Sequence, residues 1–479
     1  MRNDKNGIAN SLAWKFLERV GSQGANFILS IILARLLGPT EYGTVALITV
    51  FISIATVFVQ GGFNTALIQS KHVKEEDYSS ILYFSLCVAL LLYGILFICA
   101  PLIAGFYSLP ILIPIVRVLS LTLIPGAFNS IQVAYVTKKM QFRKLFFSNL
   151  GAVLISGVLG IILAYSGFGA WAIVAQQLGT QIVNCIVLMI ISEWRPSVVF
   201  SIKTVQSLVP FGSKVLASNL LVSVFLNIRS LIIGRWYSAE SLAYFNRGKT
   251  FAATLMDSVN GSIQSVMLPA YSQMQDNLQM LKEMLRRSVS LGCYIIFPCL
   301  LGLAAVANPF ILLLLTDKWY PAVVFLKICA IGYMTQPIQI ATAQALKAIG
   351  RSDLTLKIEM YRKISETICL IVAIPFGVEA IAWSTVVASI IACLISAPIN
   401  AKYLNYKYIE QLMDIVPSAI MSMLLYLCVT VFLYLINTAY LIELILGIFV
   451  GIIAFVALSF VTKNENFQYL LSMLKKVRR

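Results

Sequence analysis

The chain has 479 residues, 59% of them apolar and only 12% charged, with a mean hydropathy of +0.87. That composition excludes an ordinary water-exposed surface and places the chain in a bilayer. Its 36 Lys and Arg against 20 Asp and Glu give a net charge of +16, so the useful question is where the cations lie. Nine cysteines, at 87, 99, 185, 293, 299, 329, 369, 393 and 428, fall inside apolar runs. They read as small buried side chains rather than a disulfide framework or zinc site. The single histidine, His72, stands beside Lys71 and Lys74 in a charged stretch and reads as a solvated loop residue, too isolated for a metal site. With no P-loop motif, ATP hydrolysis is not expected.

A spanning helix needs about 20 mainly apolar residues to cross about 30 Å of hydrocarbon. Fourteen such segments follow in chain order: 12 to 36, 42 to 68, 79 to 106, 110 to 136, 146 to 166, 170 to 192, 206 to 234, 241 to 269, 288 to 315, 321 to 347, 355 to 376, 379 to 401, 413 to 436 and 440 to 462. They are long and continuously apolar, without the alternation of barrel strands, which predicts an all-α polytopic membrane protein. The N-terminus does not read as a cleavable signal, because Trp14, Lys15, Glu18 and Arg19 interrupt where a short apolar core belongs. Basic residues concentrate in alternate connections, twenty-three in one set against Arg35, Arg235 and Lys318 in the other. By the positive-inside rule the first set, with both termini, is expected in the cytoplasm. Two stretches show helical apolar spacing with interspersed cations: Met274, Leu278, Leu281 and Leu285 with Lys282, Arg286 and Arg287, and Phe467, Leu470, Leu471 and Leu474 before the basic tail. Both read as helices lying on the inner leaflet. Trp14, Trp171, Trp194, Trp236, Trp319 and Trp383 fall mostly near span ends and read as an interfacial belt.

Internal repetition orders these helices. An offset of 200 sets Ile32, Leu33, Ala34 and Arg35 on Ile232, Ile233, Gly234 and Arg235, and Gln60 and Gly61 on Asn260 and Gly261; an offset of 210 sets Gly167, Ala170 and Ala172 on Gly377, Ala380 and Ala382. Six helices separate the copies, and an even number keeps the repeats parallel. The expectation is two six-helix lobes around a central cavity plus two C-terminal helices: an N-lobe over 1–192, a cytoplasmic linker over 193–205, a C-lobe over 206–401, helices thirteen and fourteen over 402–462, and a basic cytoplasmic tail over 463–479.

The stretches LARLLGPTEYG at 33 to 43, GGFNTALIQSK at 61 to 71, VMLPAYSQMQDN at 266 to 277, TDKWYPAVVFLKICA at 316 to 330 and ALKAIGRSD at 345 to 353 resemble a known family. It is the polysaccharide transporter branch, Wzx type and colanic-acid-like, of the multidrug/oligosaccharidyl-lipid/polysaccharide flippase superfamily. The likeness runs from about residue 8 to about 400. It implies a flippase, not an enzyme, that moves undecaprenyl-diphosphate-linked oligosaccharide repeat units across a bacterial inner membrane. Lipid-linked oligosaccharide and membrane lipids are then the partners, with the polysaccharide polymerase and export machinery as further ones and no nucleic acid. An ion-coupled drug antiporter of the same superfamily is the alternative; a membrane glycosyltransferase fits less well, because no connection is long enough for a catalytic domain.

A diphosphate needs a wet, basic path, and a cation inside a span costs about 2.5 to 3.5 kcal/mol at the helix centre. At 1.5 Å rise per residue, Arg117, Arg229, Arg247 and Lys327 fall roughly 8 to 10 Å below the periplasmic edge, with Lys249 a little deeper. Lys15, Arg19 and Lys214 reach a similar depth from the other side. Arginine grips phosphate through two parallel N–H donors, which favours Arg19, Arg229 and Arg247. The plainer alternative is snorkelling, most apt for Arg117, Lys327 and Lys15 and for Arg35 and Arg235 at helix ends. Asp257 reads as a proton or sodium coupling site or as the partner of a neighbouring cation, with Glu366 a second candidate. Glu18 is expected to neutralise Arg19. No cofactor is expected beyond an ion gradient.

Overall fold

A computed structural model of the chain describes residues 2–70, 73–436 and 438–477, and among these the side chains other than those of 2–9, 12, 258–266 and 473–477. The expectations for His72, Lys71, the Asn260 and Gly261 pairing, Leu474 and the last basic residues lie outside that description.

Every regular element among the described residues is helical. The chain opens with α1 (Arg2–Leu36) and α2 (Pro39–Gln60), then α3 (Phe63–Gln69), α4 (Glu75–Tyr107) and α5 (Leu112–Leu119). A 3-10 turn over Ser120–Thr122 leads to α6 (Leu123–Lys138), α7 (Phe142–Tyr165) and α8 (Ala170–Ile191). There follow α9 (Ile202–Trp236), α10 (Ala239–Ser272), α11 (Leu278–Ala305), α12 (Ala307–Leu315), α13 (Ala322–Tyr333) and α14 (Gln336–Ala348). The last are α15 (Ser352–Ala373), α16 (Val378–Tyr403), α17 (Tyr408–Leu435), α18 (Tyr440–Val461) and α19 (Glu465–Val477).

Among the described residues, eleven helical stretches are long and apolar enough to cross a membrane. Each corresponds to one of the fourteen segments read from sequence. The other three segments are α1, α10 and α15, long helices whose polar and charged residues lower their apolarity. Breaks inside spans have local causes: Gly61 and Gly62, at φ +55° and +70°, divide α2 from α3.

The packing falls into two compact units, residues 1–243 and 244–479. The division falls in the first turns of α10, so α9 packs with the first unit. The reason lies in α9's neighbours, since it lies along α2, α3 and α4. Asn227 donates to Ser53 Oγ at 3.1 Å. A Cβ on Gly62 would stand 2.5 Å from the Gly212 carbonyl oxygen, so only glycine allows this approach. The 193–205 connection is itself tied to the start of α4: Trp194 Nε1 donates to Glu75 O at 3.2 Å, Ser201 N to Ser80 Oγ at 2.9 Å and Thr204 Oγ1 to Asp77 Oδ1 at 2.8 Å. Trp194 is therefore a core residue packed at a tilt against Tyr78 and Tyr135, and Trp319 is equally buried. Neither belongs to a surface belt, whereas Trp236 and Trp383 are exposed as expected.

α1 and α9 both have 35 residues and end 200 positions apart, and Gly167 and Gly377 both turn at positive φ ahead of α8 and α16. Cys293 and Cys329 are buried as expected, but Cys87, Cys299 and Cys428 are exposed on apolar helix exteriors. The Leu281 and Leu285 stretch is not a surface helix. It forms the first turns of α11, whose apolar stripe continues through Val289, Cys293 and Phe297 into the second unit's core.

Candidate functional site

The predicted cations divide between the units. In the first, Arg19 is exposed on α1 and Lys214 is exposed on α9. Glu18 does not pair with Arg19: it binds Lys15 at 2.7 Å and accepts from Asn149 Nδ2 at 2.8 Å. Arg117, on α5, lays its guanidinium over the partly exposed ring of Phe97, 4.3 Å from the centroid, the posture of a snorkelling cation. Arg229 is buried on α9.

In the second unit three predicted cations adjoin, along their helices, the residues of one helix crossing. A Cβ on Gly248 would stand 2.5 Å from the Leu326 backbone nitrogen, so this glycine lets α10 and α13 touch. Arg247 and Lys249 flank it on α10, and Lys327 follows Leu326 on α13. Arg247 is buried with its guanidinium 5.4 Å from the ring of Trp319; Lys249 and Lys327 are half-buried. Of the carboxylates, Asp257 is exposed on α10, and Glu366 on α15 is engaged by Lys363 at 2.9 Å.

None of these charges lines a further space within the first unit. That space is a cavity of about 520 Å³ among α1, α2, α3, α6 and α8. Its walls carry Asn26, Gln60, Asn64, Asn129, Gln176, Gln177 and Gln181, with Thr56, Thr122, Ser130 and Thr180 between them and no charged residue among the described lining. The polar walls are bonded to each other. Asn129 Nδ2 donates to Gln181 O at 3.0 Å and to its Oε1 at 2.8 Å, Gln176 Nε2 donates to Thr180 Oγ1 at 3.2 Å, and Thr180 meets Ser156 at 2.6 Å. A reading that followed charges missed this cavity. Its signal was present: Gly126, Asn129, Ser130 and Val133 recur at three- and four-residue spacing on α6, with Thr122 one turn before them, as Gln176, Gln177, Thr180 and Gln181 do on α8.

The second unit offers the opposite surface. Along α11, α12, α17 and α18 runs an open groove of about 530 Å³, walled by Ile295, Pro298, Leu303, Phe310, Ile448 and Ile452 among other apolar residues. Beside it, α11 and α17 are joined by ion pairs. Arg286 donates twice to Asp414, each bond 2.8 Å, Tyr406 adds its hydroxyl at 2.7 Å, and Lys282 binds Glu410 at 2.8 Å.

This arrangement of helices is shared with solved transporters. The lipid II flippase MurJ, in its inward closed conformation, aligns with a TM-score of 0.72 over 95% of this chain and 98% of that one, at 16% identity. An inward-facing multidrug resistance MATE family transporter of the MOP superfamily aligns with a TM-score of 0.62 over 82% and 98%, at 14% identity. At these identities the likeness is one of fold, that of a multi-pass, all-helical membrane protein. Residues 32–324 match the family described as polysaccharide biosynthesis protein. The chain belongs to that family, as its motifs implied, and is a transport protein rather than an enzyme. The succinoglycan biosynthesis transport protein ExoT of Rhizobium meliloti (strain 1021) is 24% identical over 390 residues, 81% of this chain and 78% of that protein. The teichuronic acid biosynthesis protein TuaB of Bacillus subtilis (strain 168) is 26% identical over 348 residues, 71% of each.

Proposed function

We propose that this protein flips a lipid-diphosphate-linked oligosaccharide, of the undecaprenyl type its motifs imply, from the cytoplasmic to the periplasmic leaflet of a bacterial inner membrane by alternating access. One observation carries the reading: a single chain of this family holds an uncharged, amide-lined cavity and an open apolar groove, the two environments an amphiphilic cargo requires. The glycan part needs hydrogen-bonding walls, and the isoprenoid part needs hydrocarbon. The diphosphate falls to the cations, foremost Arg247 with Lys249 and Lys327 at the Gly248 crossing, with Arg229 in the first unit. Asp257 is the remaining candidate for coupling to a proton or sodium gradient. The loop-charge asymmetry supports cytoplasmic termini.

The test is a deletion strain. Lipid-linked repeat units should accumulate on the cytoplasmic leaflet, with surface polymer lost and every glycosyl transfer step intact. Complementation by Arg247→Lys should be impaired and by Arg247→Ala absent at normal protein abundance, because the planar fork matters at a diphosphate and not at a snorkelling site. Loss of the lipid-linked intermediate itself would place the protein among the synthesising steps and end the flippase reading.

A further inference from the structure

Walls of carboxamides and hydroxyls select among the chemical parts of a glycolipid. A carboxamide offers two N–H donors and a carbonyl acceptor, and a hydroxyl offers one donor and two acceptor positions. Sugar hydroxyls have the same dual character. A phosphate or carboxylate brings acceptors and charge, for which neutral walls hold no counter-ion.

The first unit's cavity is more specific than its composition. Asn129 commits its amide donor to Gln181, which leaves Oδ1 as the atom it can offer a ligand. Among the described residues no hydrogen-bond partner faces Asn129 Oδ1, Asn64 Oδ1 or Ser130 Oγ, and all three atoms are buried in residues that line the cavity. Acceptors of this kind are ordinarily satisfied, so a small rotation of these side chains toward the space gives its walls spare acceptors for a ligand's donors. Two of the three are carbonyl oxygens that can only accept. An anion has no hydrogen to give them, and an ammonium would need a carboxylate that the lining lacks. A neutral polyol supplies several O–H donors at once. The cavity's roughly 520 Å³ also falls within the usual range of small-ligand pockets.

We propose that this cavity is a binding site for neutral sugar residues of the cargo, separate in chemistry from the cations that would hold its diphosphate. The proposal rests on the flippase reading for the source of the sugar, but its test does not. Gly126 lines the cavity on α6, and a Cβ there meets nothing within 4 Å, so Gly126→Trp starts its side chain into open space and fills part of the cavity with an indole. Gly94 on α4 also has open space beside it and lies outside the lining, so Gly94→Trp controls for added bulk. Gln177→Leu removes wall donors and an acceptor while keeping a similar size.

The full chain in nanodiscs is probed by saturation-transfer NMR with the methyl glycosides of glucose, galactose and mannose, and with methyl glucuronide and protonated glucosamine at equal concentration. The parent protein and Gly94→Trp should saturate at least one neutral glycoside. Gly126→Trp should lose that signal and Gln177→Leu should weaken it about tenfold. Both charged sugars should give much less signal than the neutral ones. Equal saturation in Gly126→Trp and Gly94→Trp overturns the site, as does a charged sugar that matches the neutral glycosides. If Gly126→Trp does not accumulate, Gln177→Leu decides alone, and an undiminished signal there overturns the site equally. These readouts are independent of the deletion phenotype: failure here with the lipid-linked units still retained in the deletion strain removes the sugar site and leaves the flippase, and the reverse pattern does the opposite.

Discussion

The first unit lines a half-open space with polar side chains and no charge, and the second ties α11 to α17 by ion pairs and lines a half-open groove with apolar side chains. In the first, amides from α1, α2, α3, α6 and α8 face one another across a cavity, and the ion pairs at Glu193 sit on the exposed side. In the second, Arg286, Asp414, Lys282 and Glu410 bind α11 to α17 while the outer faces of α11 and α18 form a hydrocarbon groove. α1 and α9 have the same length and end 200 positions apart, yet α1 lies against α7, whereas α9 lies against α2, α3 and α4. The two units are thus lined with different chemistry.

The sharpest way to break this contrast is to make the groove polar. Ile452→Lys places a cation among Ile295, Ile448 and Phe455, where a charge costs about 2.5 to 3.5 kcal/mol at mid-membrane depth. The rest of α18 is apolar enough to keep the helix inserted. Export in the deletion strain should fall to background with membrane abundance unchanged, while Ile452→Val stays near the parent. Normal export from Ile452→Lys would show that the groove does not carry the lipid part of the cargo.

A smaller effect is expected at the ionic clamp. Asp414→Asn keeps the shape but loses the fork with Arg286 and weakens the Tyr406 bond. A hydrogen bond to a charged group is worth about 1.5 to 3 kcal/mol, and the partial exposure of Arg286 argues for the lower end. The melting temperature in detergent should drop by several degrees, with export per molecule retained. An unchanged melting temperature would show that α11 and α17 are held by Leu281, Leu285 and the apolar stripe alone.

How much of this could be read beforehand follows from what each signal averages over. Span positions were legible because twenty consecutive apolar residues have few other uses, and α18 is a plain case. The cavity was not, because seven amides spread over five helices vanish into the hydropathy of their windows and carry no net charge to draw notice. The Leu281 and Leu285 stretch was misread for a different reason. An amphipathic basic face looks the same on a leaflet or against a helix with complementary acids, and here Glu410 and Asp414 lie 128 positions away from Lys282 and Arg286. Glu18 shows the same limit at short range, since adjacency to Arg19 counted for less than the helical three-residue step to Lys15.

The least costly change should be at Glu193, the exposed counterpart of the α11–α17 clamp. Lys144, at 2.9 Å, does most to hold its carboxyl below the usual carboxylate range, and Gln141 and Lys139 help. A carboxyl whose folded pKa is depressed stabilises the fold above its unfolded pKa, and the contribution is lost as pH falls through the folded value. Glu193→Gln should therefore lower the melting temperature slightly at neutral pH and not at all once the medium is acid enough to protonate the parent's carboxyl. Full solvent exposure keeps the neutral-pH difference small, and added salt should shrink it further. Melting temperatures of the two proteins followed from neutral to acid pH make the check: curves that converge on acidification support an electrostatic tie among α6, α7 and the connection after α8, and a constant offset would mean that Glu193 acts there through packing instead.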